Sequence, residues 1–171
     1  MVRNSRLFGG SFPAATEAFS LVELIVVVAI LAIAAAMVIP ELQDTKQFQA
    51  MSAARVLATD LEYARDTAIT MQTPVTVTFN VQGRSYTLSN ASGTLVHPMT
   101  KAAYTVAFAS QSGSGAVGLV SASFGGAPAV TFDVTGAPNQ AGTVRLQAGS
   151  FPYTVQVYQA TGRVKATYTG S

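Results

Sequence analysis

The 171-residue chain contains no cysteine. Disulfides, thiolate nucleophiles and cysteine-ligated zinc are therefore excluded, and stability has to come from packing alone. The absence says nothing about compartment. There is one histidine, His97, placed before Pro98, and a lone loop histidine without a partner constellation reads as surface rather than catalyst. Acids run out early: Asp133 is the only Asp or Glu after Asp66. The distal part thus has no carboxylate pair for acid–base work and too few carboxylates for calcium. No glycine-rich stretch follows the phosphate-loop pattern, and Gly113, Gly115 and Gly118 read as loop. These absences point away from an enzyme and from any cofactor or metal.

What remains is an uneven distribution of apolar residues and charge. The hydrophobic fraction is 49% and the charged fraction 11%, and both are skewed by one uninterrupted apolar run, Leu24 to Ile39. The rest is rich in Thr, Ser, Gly, Ala and Val, a composition that favours strands and turns. From Thr67 onward Arg84, Lys101, Arg145, Arg163 and Lys165 face Asp133 alone, a net of +4. Such mild basicity reads first as a solvated surface and is compatible with nucleic-acid contact.

Arg3 and Arg6 precede the apolar run and predict a cytoplasmic N-terminus. Counted from Phe19 to Ile39 the segment has 21 residues, which as a helix spans roughly 30 Å, the thickness of a bilayer core. A cleaved signal peptide, with small residues Ala32, Ala34, Ala35 and Ala36 after an apolar core, is the competing reading. The remoteness of the arginines and the carboxylate of Glu23 at the start of the run count against it. A carboxylate in hydrocarbon needs a cationic partner or must snorkel to the headgroups.

Beyond Pro40, Phe48, Met51, Ala54, Leu57, Leu61, Ala64, Ala68 and Met71 recur every three or four residues, with Arg55, Glu62, Arg65 and Asp66 on the opposite side, and predict an amphipathic helix. Pro40 is expected to kink one long helix. At Thr73-Pro74 the period changes to two. Val75, Val77, Phe79 and Val81 alternate with polar residues, Gln82-Gly83-Arg84 turns the chain, and Ser85 to Leu88 returns as a hairpin. Asn90 to Lys101 reads as a loop, Tyr104 to Phe108 as a strand, and Ser110 to Gly115 as a flexible loop. Short strands follow around Val130–Val134, Thr143–Gln147, Tyr153–Tyr158 and Arg163–Thr167. The expected architecture is α+β, a long N-terminal helix, its first half transmembrane, packed on an antiparallel β domain of two small sheets.

The stretch Ala18-Phe19-Ser20-Leu21-Val22-Glu23 followed by a long apolar helix resembles the class III leader junction of type IV pilins and type II secretion pseudopilins. The resemblance implies cleavage between Ala18 and Phe19 by a prepilin peptidase/methyltransferase, N-methylation of Phe19, and retention of the apolar helix. It puts Glu23 at the fifth mature position and Pro40 at the twenty-second. Ala18 stands where the family usually has Gly. The implied division is a leader over 1–18, a transmembrane and assembly helix over 19–40, an amphipathic helical half over 41–72 and a periplasmic β domain over 73–171. The new amine of a neighbouring Phe19 is then the natural partner for Glu23, and the pair would fix the register between subunits.

The distal half adds to the likeness. Leu57, Leu61, Ala64, Arg65, Ala68 and Ile69, then Pro74 to Val77, are similar to the helix-to-strand junction of the GspH/FimT group, and Phe132 to Pro138 and Gly162-Arg163-Val164 resemble that group's β domain. The resemblance implies a minor pseudopilin of a type II secretion system, a structural subunit in the inner membrane whose partners are other pseudopilins and membrane lipid. Arg163 and Lys165 share one strand face, and Gly162-Arg163-Val164-Lys165 resembles the Gly-Arg-x-Arg motif of DNA-binding FimT-type pilins. The alternative is therefore a FimT-like minor pilin that binds DNA for transformation through Arg163, Lys165 and Arg145. A charge-protected edge strand accounts for the same residues.

Overall fold

Ala50, Ala53, Ala54, Leu57, Leu61, Ala64 and Ala68 are all fully buried, and their spacing is the stripe that a helix of period 3.6 presents to a core. They lie on α2 (Glu41–Met71). Five of the seven are alanines, so the helix backbone can lie close to whatever covers it, with Leu57 and Leu61 filling the space between. The structure, a computed structural model, describes residues 20–38, 41–110 and 117–170. The chain divides into two compact units, Met1–Ile39 and Pro40–Ser171.

In the first unit α1 runs from Leu21 to Val38. Its large side chains between Leu21 and Ile33 are exposed, from Val27 at 46% to Leu21 at 74%. Among the described residues no helix is long and apolar enough to cross a membrane; 18 residues give about 27 Å at a rise of about 1.5 Å, just short of a bilayer core. Ala18, Phe19 and the bend expected at Pro40 lie outside the described residues, as do residues 111–115 of the expected loop.

α2 ends in a left-handed residue, Gln72 (φ 50°), after which Thr73 N–H donates back to Ala68 C=O at 3.3 Å. The side chain of Gln72 donates to Ile69 C=O at 2.7 Å, satisfying a carbonyl that the helix end leaves open. Phe48 and Met71 do not point inward as expected, being 63% and 58% exposed. Phe48 stands nine residues before Leu57, half a turn away at 100° per residue, and Met71 occupies the last turn.

The strands form two antiparallel sheets over α2. In the first, β1 (Val75–Asn80), β2 (Ser85–Asn90), β3 (Gly93–Thr94), β4 (Thr105–Ala107) and β6 (Ala129–Phe132) are ordered β3-β2-β1-β6, with β4 also on β2. Val77 faces Leu88 and Phe79 faces Tyr86, as the alternation of apolar residues requires. The second sheet is ordered β5-β7-β8-β9, from β5 (Val117–Phe124), β7 (Gly142–Ala148), β8 (Phe151–Val157) and β9 (Val164–Tyr168). α2 packs on strands of both, and Phe79 stacks on Phe124 at 5.7 Å between them.

β5 corrects the reading of Gly118 as loop. Its register shifts between Leu119 and Ser121, so Val117 and Leu119 are buried at odd positions while Phe124 is buried at an even one. A bulge inserts one residue and flips the parity, and the period-two signal disappears. β3 likewise lies inside the segment expected to be loop.

Candidate functional site

Glu23 sits in the first turn of α1. Leu24 N–H donates to Ser20 C=O at 3.1 Å, which makes Ser20 the N-cap and Glu23 the third helical residue. Ser-x-x-Glu is the capping-box spacing, and a carboxylate there complements the helix dipole.

The β domain brings Arg145, Arg163 and Lys165 onto one surface. Arg145 on β7 faces Thr154 on β8, Thr154 faces Thr167 on β9, and Lys165 faces Gln156. Arg145, Arg163 and Lys165 alternate with buried Val144, Leu146 and Val164 and are all exposed. They share the outer face of the second sheet, Arg145 and Lys165 about 12 Å apart from standard strand spacing and rise. Ser121, Ser123, Thr143, Thr154, Gln156 and Thr167 lie among them on that face. Around these cations the face is polar.

A second constellation is assembled only by the fold. Asp60, 9% exposed, flanks the buried stripe of α2 and accepts hydrogen bonds from Tyr86 Oη at 2.5 Å and Tyr104 Oη at 3.1 Å. Burial pushes its carboxyl above the ordinary value, against the pull of the two tyrosines and nearby His97. Burial also raises both tyrosine hydroxyls, as does the Asp60 charge, so they stay protonated donors. The helical spacing offered the one available signal, since Asp60 falls three residues after Leu57, where a polar group needs a partner. The His97 ring is half-buried and lies 4.5 Å from that of Tyr104. Its Nδ1 accepts from Met99 and Thr100 N–H at 3.2 and 3.3 Å, closing the turn. His97 is a packing residue.

Asp133 also has a local task. Its Oδ1 accepts from Thr135 N–H, Thr135 Oγ1 and Ala137 N–H at 2.8, 2.6 and 3.0 Å. The Thr135 side-chain bond first, then the backbone bonds, hold its carboxyl below the ordinary value. The loop so fixed delivers Gly136 (φ 84°) onto Arg65 and Ile69 of α2, and Gly162 (φ 60°) packs against Gly136 C=O and Arg65. The two segments singled out in the sequence, Phe132 to Pro138 and Gly162 to Val164, thus meet on the helix. A cleft of about 300 Å³ lined by Arg65, Ile69, Thr135, Ala137 and Thr161 remains beside them.

Residues 53–161 match the family described as Type II transport protein GspH. No curated protein matches the chain. Among solved structures, the minor pseudopilin EpsH of the Vibrio cholerae type 2 secretion system aligns at 18% identity and a TM-score of 0.56, covering 72% of this chain and 99% of that one. The type IV minor pilin FimU of Pseudomonas aeruginosa aligns at 20% identity and a TM-score of 0.50, over 74% and 97%. The fold is thus that of the minor pseudopilins and pilins, a helix carrying two antiparallel sheets. With the family match spanning well over half of the chain, the protein belongs to the GspH family of type II transport proteins.

Proposed function

We propose that the chain is a minor pseudopilin of a type II secretion system, a structural, non-enzymatic subunit. The family match over residues 53–161 carries this reading, and the leader-like junction at Ala18-Phe19 supports it. Removal of residues 1–18 and methylation of Phe19 leave a subunit held in the inner membrane by residues 19–40, its β domain in the periplasm. Other pseudopilins pack on the apolar helix. Glu23 pairs with the Phe19 amine of a neighbour and sets the register, because an unpaired carboxylate in that layer is costly. Glu23→Ala is then expected to insert into the membrane normally yet enter filaments several-fold less, which crosslinking within the secretion complex measures. Equal incorporation of the variant would contradict the pairing.

The shared face of Arg145, Arg163 and Lys165 favours a second reading, a minor pilin that binds DNA. Phosphate contacts of this kind release counterions, so binding would fall steeply with salt. On this reading the chain retards duplex DNA at low salt and Lys165→Glu abolishes the shift; no retardation at low salt removes the reading.

A further inference from the structure

β9 is the outer strand of the second sheet. Tyr158 N–H donates to Arg163 C=O at 3.0 Å, and Thr169 N–H to Pro152 C=O at 3.1 Å. Peptide groups alternate in an antiparallel pair, so residues 163, 165, 167 and 169 turn theirs toward β8. Val164, Ala166 and Tyr168 turn theirs outward, and among the described residues no backbone bond between elements reaches them.

The other sheet ends are less suited to strand addition. Along β6, Asn139 N–H donates to Thr131 C=O at 2.8 Å and its Oδ1 accepts Thr131 N–H at 3.0 Å, which caps that edge. β5 adjoins the first sheet and carries the bulge at Val120. β3 and β4 have only two and three residues. Among the described residues β9 offers an unbulged run of outward donors and acceptors, the template to which another strand adds.

The charge of this edge selects what can add. Arg163 and Lys165 are exposed on the outer face beside it, and no strand of the second sheet contains an Asp or Glu. A second copy of β9 would set cations beside cations, whereas an acidic strand gains opposite-charge neighbours. On the inner side lie half-buried Ala166 and Tyr168, 44% exposed, which suit small apolar residues. We propose that β9 takes up an extended segment of a partner protein, alternating acidic and apolar residues, as a fifth strand of the second sheet. This rests on the β9 edge and its charges, independently of the secretion reading.

The test uses the full chain in detergent micelles and labelled heptapeptides followed by fluorescence anisotropy. One peptide alternates valine with glutamate, a second valine with lysine, and a third is the glutamate peptide with N-methylated valines. The glutamate peptide is expected to bind and the lysine peptide not. Ala166→Pro leaves the bonds to β8 intact, because that N–H points away from them, and it should weaken binding at least about tenfold. The N-methylated peptide should lose as much on the unaltered chain, a comparison that does not depend on the variant folding. Lys165→Glu should shift preference toward the lysine peptide. Failure of the glutamate peptide to bind, or equal binding of its N-methylated form, overturns the proposal. So does displacement by duplex DNA whose own affinity is unchanged in Ala166→Pro, since that assigns the cations to nucleic acid.

Discussion

Gly162→Ala is expected to destabilise the Pro40–Ser171 unit by about 3 kcal/mol. Two effects combine. A non-glycine residue at a φ of 60° is strained by about 1 kcal/mol. The added Cβ would also run into Gly136 C=O and stand 3.0 Å from Arg65 Cδ. Backbone cannot swing aside as a side chain can, so the loops must separate from each other or from α2, an overpacking cost of about 1–3 kcal/mol. For a unit of this size the loss corresponds to roughly 10 °C in melting temperature. Gly126→Ala is the control, because Gly126 has a φ of 94° but nothing within 4 Å of the point its new Cβ would occupy; it should show the strain alone. Equal melting shifts in the two variants would refute the tight seat on Arg65.

Asp60→Ala has the second large effect, also about 3 kcal/mol, because it leaves the buried hydroxyls of Tyr86 and Tyr104 without an acceptor. Asp60→Asn keeps an acceptor oxygen and should cost less. The carboxyl also links stability to pH. Its folded pKa lies above the ordinary 3.8, so between the two values the native state binds more protons than the unfolded state. Stability therefore falls as pH rises through that window. Asp133 runs the other way. Its pKa is depressed below 3.8, and its contribution, complete above 3.8, is lost as pH falls through the folded value. The windows lie on opposite sides of 3.8, so thermal melts between pH 3 and 7 separate them. In Asp60→Asn the decline above 3.8 should vanish; its persistence would place the titrating group elsewhere.

The stripe on α2 and the β1–β2 hairpin were legible because each is a local repeat. Leu57, Leu61, Ala64 and Ala68 repeat at helical spacing, and Val75, Val77 and Phe79 at strand spacing, and burial followed both patterns. β5 was lost because a single inserted residue at Val120 breaks parity between Leu119 and Phe124. Asp60 was missed for a different reason. Its partners Tyr86 and Tyr104 lie 26 and 44 residues away, and no local pattern reports a pairing made by the fold. The glycine motifs fall between these cases. Gly136 and Gly162 stood out in sequence, yet their common seat on Arg65 needs three separate elements to meet. The cations Arg145, Arg163 and Lys165 were separable by strand parity, and only the strand order β7-β8-β9 puts them on one face.

On the proposed function the apolar N-terminal helix is a retained assembly element and not a discarded signal. The mass spectrum of the mature protein purified from membranes tests it most directly. A chain beginning at N-methylated Phe19 is the expected result. A chain beginning near Met37, with Glu23 removed, would contradict the account.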